Sequence, residues 1–215
     1  MKHEDRIILF ATGVRFSRIV LDTLLDNKIK PVAIALPVYP PVPIEDLPGV
    51  KIERDSQSKQ FADKVLTISI PVLYAPENLQ DTLPEQLSAI RADYILLACW
   101  PYLLSSNIIE LASKAALNIH PSLLPKYRGA SPIAEQLTQG EVNLGVTLHL
   151  LSEHFDQGDI LLQEKLNFSG APPAKEELEI EAAKTGARLF IGAMKDYASP
   201  GWSPVKQRKL PDTHF

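Results

Sequence analysis

The order of hydrophobic patterns predicts an α/β fold: one mostly parallel, doubly wound sheet with helices on both faces. Two observations carry that expectation. Short apolar runs such as Ile7-Ile8-Leu9-Phe10-Ala11 and Tyr94-Ile95-Leu96-Leu97-Ala98-Cys99 are continuous rather than alternating, the pattern of strands covered on both faces. They alternate with segments whose apolar residues recur at helical spacing, which implies strand–helix–strand units. A third observation removes an alternative. The 18 prolines outnumber the 10 glycines in 215 residues, too many ring-locked positions for a helical bundle.

Taken in order, Arg6–Ala11 reads as a buried strand and Gly13 as the turn after it. Phe16–Asn27 reads as a helix with Phe16, Ile19, Val20 and Leu24 on one face. Val32–Leu36 is a second strand, followed by a loop in which Pro37, Pro40, Pro41, Pro43 and Pro48 forbid regular structure. Gln57–Leu66 reads as a helix, Val72–Tyr74 as a short strand, Asp81–Arg91 as a helix and Tyr94–Cys99 as a strand. A helix over Ser105–Lys114, a strand over Ala115–Ile119 and a helix over Ser131–Gln139 come next. Leu144–Leu151 and Ile160–Phe168 read as strands. A right-handed crossover is expected to run the first of these parallel to its predecessor. The short loop before the second makes that one antiparallel. Ala174–Tyr197 is a long final helix and Ser199–Phe215 a proline-bearing tail. No repeat, low-complexity tract or linker divides the chain, so a single domain is expected.

Charge and cysteine content narrow the function classes. Lys+Arg 22 against Asp+Glu 26 leaves a net charge of −4, which gives no electrostatic reason for nucleic acid or an anionic membrane as main partner. The single Cys99 excludes an internal disulfide framework and a multi-cysteine zinc site. No apolar run approaches the ~18 residues of a membrane span, and Met1–Asp5 lack a signal-peptide core. A soluble cytoplasmic protein without a metal is the expectation.

Open α/β sheets bind ligands beyond the carboxyl ends of their strands. Three segments fall there: Gly13–Ser17, Trp100–Tyr102 and Asn118–Pro121. The first has one glycine, so it is neither a dinucleotide fingerprint nor a P-loop. Gly13 and Arg15 read either as an ordinary strand-to-helix turn or as an anion site at a helix start. In the third segment, Asn118 and His120 are two apart on a strand and leave by one face. With the next strand parallel, the loop Ser152–Asp159 would emerge at the same edge and bring Asp156 to the imidazole. An Asn amide and an imidazolium can stabilise an oxyanion, and a carboxylate beside the imidazole can relay a proton. Ser122 lies between prolines, so direct acyl transfer to an amine fits better than a covalent acyl-enzyme. Spacing alone leaves the same residues open to a structural reading. Cys99 reads as core at a strand end and His149 as a structural residue on a strand face. Lys126 and Arg128 read as surface charges or as attractors of an anionic acceptor.

The string NIHPSLLPKYRGASPI, Asn118–Ile133, resembles the signature of the folate-dependent formyltransferases. HFDQGDIL, His154–Leu161, resembles their second motif at the matching separation, and the likeness extends over residues 6–207. The resemblance implies a Rossmann-like formyltransferase fold over residues 1–207 with 208–215 as a tail. It implies transfer of a formyl group from 10-formyltetrahydrofolate to a primary amine. Asn118, His120 and Asp156 match the family's catalytic trio. The pterin is implied to lie between the loop of Cys99, Trp100, Pro101, Tyr102 and Leu103 and the loop of His154, Phe155, Gln157, Gly158 and Asp159. Gly13, Arg15, Lys126 and Arg128 are the candidate acceptor contacts.

Departures from the family pattern bear on the acceptor. Trp100-Pro101 stands where many members carry an aromatic–glycine pair, which removes a backbone N–H and leaves Trp100 to stack on ligand or to cap the core. KYRGASPI and Pro204-Val205-Lys206-Gln207 are most like the catalytic domain of methionyl-tRNA formyltransferases. Their C-terminal barrel would begin where this chain stops. Their tRNA-contacting insertion is basic, whereas Pro37–Val50 here carries Glu45 and Asp46 and no Lys or Arg. A small-molecule amine is therefore expected and tRNA disfavoured. Glycinamide ribonucleotide and sugar amines are alternative acceptors, although the Gly-Ser-Asn phosphate loop of the ribonucleotide enzymes is absent at Gly13-Val14-Arg15. A non-catalytic folate- or partner-binding module is the alternative to an enzyme.

Overall fold

A computed structural model describes residues 4–37, 54–75, 83–168, 172–199 and 202–208. The expectations for the proline-rich loop after Pro37, with Glu45 and Asp46, for the start of the helix at Asp81 and for the last tail residues lie outside the described residues, whereas Pro37 itself closes a strand opposite Ala75 and is not part of the loop. The elements are β1 (Ile7–Ala11), α1 (Arg15–Asp26), β2 (Ala33–Pro37), α2 (Arg54–Thr67), β3 (Val72–Ala75), α3 (Leu83–Ile90) and β4 (Tyr94–Ala98). They continue with α4 (Ser106–Ile109), β5 (Ala115–His120), α5 (Pro132–Thr138), β6 (Gly145–Leu150), β7 (Ile160–Lys165) and α6 (Lys175–Lys195). The strands make one sheet in the order β3-β2-β1-β4-β5-β6-β7. From β3 to β5 all pairings are parallel, the open, mostly parallel sheet that the alternating pattern predicts.

Each central strand feeds two cores. Ile7, Leu9 and Ala11 of β1 join Leu96 and Leu117 on the face covered by α1, by the Phe61–Val65 stretch of α2, and by α6. Ile8 and Phe10 join Ile95, Leu97 and Ala116 on the opposite face, under Leu83 and Leu87 of α3 and Ile108 of α4. This division follows from the period of two along a strand. Fully buried Phe16, Phe61, Phe190 and Tyr94 are among the largest core side chains, and burying each apolar ring contributes roughly 1.5–3 kcal/mol. α1 ends where Lys28 turns left-handed at φ 62°. The Ile29 N–H then returns to Leu24 O at 2.9 Å and the Lys28 N–H to Leu25 O at 2.9 Å, which satisfies the helix's last carbonyls.

Three expectations are corrected. β6 runs antiparallel to β5, not parallel, with Asn118 opposite His149 and His120 opposite Thr147. A parallel return needs a connection that travels the length of the strand. α5 instead stays at the carboxyl end of β5, where buried Gln136 donates to Pro121 O at 2.8 Å. α4 is only four residues long, not the Ser105–Lys114 helix, because Ser113 and Lys114 give their N–H groups to Ala92 O and Asp93 O. β4 stops at Ala98, and Cys99 turns outward at φ 59° and is exposed instead of joining the core. β7 is antiparallel to β6 as expected, with a register shift at Leu148/His149 that leaves Leu161 as an extra residue on β7.

Glycine at 186 sets how closely α6 lies on the sheet: a Cβ there would sit 2.2 Å from Ile119 Cγ2. Gly186→Ala is expected to lower stability by about 1–2 kcal/mol, the cost of overpacking less the gain in helix propensity. Thermal unfolding checks this, and an unchanged or higher melting temperature would contradict it.

Candidate active site

The reversal of β6 and the brevity of α4 create the site together. Asn118, His120 and His149 leave the sheet on the α3–α4 face, and α4 ends before it can cover β5 and β6. A cavity of about 600 Å³ occupies that space. Its floor is polar (Asn118, His120, His149 and Asp156), while Leu97, Leu104, Ile109 and Leu151 supply apolar wall. The volume and the mixture suit a drug-sized planar ligand held by a few directed polar groups.

Asp156 arrives by a route different from the expected one. It sits in the loop joining the antiparallel β6 and β7, which folds back across the sheet face. The loop is pinned at its base by Leu150 N–H to Asp159 O at 2.9 Å and by Gly158, where a Cβ would strike Leu150 O at 1.7 Å. Asp156 itself is left-handed at φ 53°. Its Oδ1 lies 3.4 Å from His120 Nδ1 and 3.5 Å from His149 Nε2, and accepts from Asn118 Nδ2 at 3.2 Å. Its Oδ2 accepts the Gly129 N–H at 2.9 Å. Burial alone would raise its pKa, but the hydrogen bond and charge of His120 and the Gly129 N–H outweigh it. The carboxylate is held well below the usual range and stays charged.

The imidazoles are oriented by backbone carbonyls. His120 Nε2 is 2.7 Å from Tyr127 O and His149 Nδ1 is 2.8 Å from Leu150 O. A carbonyl only accepts, so each of these nitrogens carries a hydrogen. His149 Nε2 then faces Asn118 Nδ2 at 3.1 Å as an acceptor, and a protonated His120 donates from both nitrogens, Nδ1 toward Asp156. Tyr127 is itself left-handed at φ 56° and is held by its hydroxyl donating to Glu141 at 3.0 Å. Lys126 donates to the same carboxylate, and Glu141 is lowered to about 2 by the Asn143 N–H, Lys126 and Tyr127.

Asn118, His120 and Asp156, expected together from the sequence, do meet. Cys99, Trp100, Pro101, Tyr102 and Leu103 all line the cavity, as do His154 and half-exposed Phe155. Trp100 packs edge-on against Phe10 at 4.9 Å and Tyr102 at 5.8 Å, so it closes the core beneath the cavity wall it forms. Gln157, Gly158 and Asp159 are not among the lining residues, and Gly158 and Asp159 shape the loop from behind. Gly13, Arg15, Lys126 and Arg128 are also outside the lining. Gly13 donates its N–H to Ser17 Oγ and its carbonyl accepts from Arg18 Nε. Arg15 pairs with Glu176 and Glu179, Lys126 with Glu141, and Arg128 with Gln207. His149 is the member that sequence reasoning left as structural. Its signal is legible only once β6 is reversed and set in register with Asn118. Lys175 and Glu179 of α6 also border the cavity, and nothing in an amphipathic helix pattern marks them. Among the described residues no group of three His, Cys, Asp or Glu could hold a metal ion, and no helix is long and apolar enough to cross a membrane.

Residues 5–193 match the formyl transferase family. The chain belongs to that family. Among curated proteins it is 36% identical over 139 residues to the methionyl-tRNA formyltransferase of Anaeromyxobacter dehalogenans, covering 64% of this chain and 44% of that protein. It is 37% identical over 124 residues to the methionyl-tRNA formyltransferase of Methylacidiphilum infernorum, covering 57% of this chain and 38% of that one. The chain thus spans less than half the length of these relatives. Solved formyltransferase structures share the fold. A phosphoribosylglycinamide formyltransferase from Bacillus halodurans superposes with TM-score 0.67 at 20% identity over 91% of this chain and 96% of that one. A formyltetrahydrofolate deformylase from Pseudomonas syringae gives 0.65 at 18% identity over 96% of this chain and 67% of that one.

Because ionised Asp156 is favoured in the folded state, its contribution to stability is present above its ordinary pKa of 3.8 and is lost as pH falls below that value. Asp156→Asn is expected to lower stability by about 1–3 kcal/mol at neutral pH. The gap from wild type should close as the pH drops below 3.8. Denaturant melts across pH check this, and a gap that persists or widens in acid would contradict the assignment.

Proposed function

We propose that this chain transfers the formyl group of 10-formyltetrahydrofolate to a primary amine by direct acyl transfer. The observation that carries the reading is the meeting of an amide, two imidazoles and a charged carboxylate at the floor of an apolar-walled cavity in a formyl transferase family chain. The cavity's residues fit the donor: a flat heterocycle meets apolar wall between the Cys99–Leu104 stretch and the His154–Phe155 loop, with the polar cluster at one end. When bound, the donor supplies a formyl carbon already attached to nitrogen.

Attack of an amine on that carbon puts negative charge on the formyl oxygen. Asn118 Nδ2 stabilises it by turning one hydrogen from its present partners toward the substrate, and a protonated His120, whose two N–H groups stay with Tyr127 O and Asp156, stabilises it through its nearby charge. Asp156 balances the imidazolium and relays, directly or through water, the proton lost by the amine to the donor nitrogen, as the bond between that nitrogen and the formyl carbon breaks and tetrahydrofolate leaves. No hydroxyl or thiol nucleophile is needed. Ser122 is buried and its Oγ donates to Lys126 O at 2.8 Å, which ties it to the turn.

A small-molecule acceptor is favoured over tRNA. Arg15, Lys126 and Arg128, the cations considered for an anionic acceptor, are each matched by a partner within the chain. Neutralising phosphates would first require breaking those pairs.

Purified protein given 10-formyltetrahydrofolate and a panel of primary amines is expected to release tetrahydrofolate with a matching formylated product. His120→Ala should lower the rate about 10²–10⁴-fold and Asn118→Ala about 10²–10³-fold. Full turnover in His120→Ala, or tight donor binding with no transfer to any amine, would overturn the reading.

A further inference from the structure

Away from the cavity, the carboxamide of Gln207 uses all of its hydrogen-bonding positions. Its Nε2 donates to Asp156 O at 2.8 Å and to Gly158 O at 2.7 Å. Its Oε1 accepts from Arg128 Nε at 3.2 Å and Nη2 at 2.6 Å. A primary amide has two N–H donors and two acceptor lone pairs, so nothing remains for solvent or ligand. The partners are not scattered. One pair belongs to the loop that carries Asp156, and Arg128 lies between Tyr127, whose carbonyl holds His120, and Gly129, whose N–H holds Asp156.

We propose that Gln207 is a positioning residue for the reaction, bracing the Asp156 loop against the Tyr127–Gly129 loop so that His120 and Asp156 keep their mutual geometry. This rests on the formyl-transfer reading of the site. Both loops lack regular structure and each contains a left-handed non-glycine residue, Tyr127 at φ 56° and Asp156 at φ 53°. Such conformations persist only where their surroundings over-determine them. The brace is anchored. Val205 exchanges both backbone hydrogen bonds with Ile160 at 2.8 Å, fixing the segment two residues before Gln207 against the start of β7. A planar amide spanning two loops sets their separation, and small misplacements of reacting groups cost large factors in rate.

The isosteric variant separates positioning from packing. Gln207→Glu keeps the volume and the attraction to Arg128 but replaces both N–H donors with oxygen facing two carbonyls. Gln207→Glu and Gln207→Ala are expected to lower kcat for formyl transfer about tenfold to a hundredfold. KM for the donor should stay within about threefold of wild type, because Gln207 is not among the cavity-lining residues. Amide hydrogen exchange at Gly129 should speed up about tenfold or more in both variants, with circular dichroism and the melt showing a folded protein. Wild-type kcat in Gln207→Glu, or unchanged Gly129 exchange in both variants, would overturn the proposal. If the wild-type protein transfers no formyl group to any amine, the functional reading falls, and Gly129 exchange alone decides whether Gln207 holds the loops.

Discussion

A carboxylate taken out of water must be met by donors, and the arrangement around Asp156 is the constraint on which the site depends. Its two oxygens are met by Asn118 and His120 of β5 and by the backbone of the loop after β5. Removing any one donor leaves charge exposed to low dielectric, which is costly. The cluster therefore acts as a fixed unit: the carboxylate orients the amide and the imidazoles, and they keep it ionised. Backbone carbonyls at Tyr127 and Leu150 complete the set by fixing which imidazole nitrogens carry hydrogen.

The rest of the fold supplies the conditions for that unit. The parallel β1–β5 core gives a rigid platform with two packed faces. Two local interruptions open one of those faces. α4 ends after four residues, and β6 reverses direction. The first leaves the sheet uncovered beside Leu97 and Ile109, and the second turns the β6–β7 connection into a loop that can fold over the gap. Close approach at Gly158 and Gly186 holds loop and helix tight to the strands that bear Asn118 and His149.

Much of this was legible in the residues. Continuous apolar runs located the parallel strands, and the two-residue offset of Asn118 and His120 placed them on one face. The convergence with Asp156 follows from a geometry other than the expected one: the alternation of elements implies a parallel crossover, and strand direction depends on where α5 docks, which only the tertiary contact of Gln136 with Pro121 fixes. The role of His149 stayed hidden with it, because its partner across the ladder follows from strand direction. Cys99 illustrates a different limit. A run of apolar residues does not say which one leaves the strand, and the left-handed turn that exposes Cys99 has no glycine to announce it. The cations at Arg15, Lys126 and Arg128 were visible as charges, but their acidic and amide partners lie far away in sequence and only the fold pairs them.

Single-turnover formyl transfer by Asp156→Asn, followed at neutral pH and at a temperature where the variant is folded, tests the central claim most directly. The substitution keeps the shape of the side chain and an acceptor for Gly129, and removes the charge. The expected result is a fall of about a hundredfold or more in the transfer step. A transfer rate equal to wild type would contradict it.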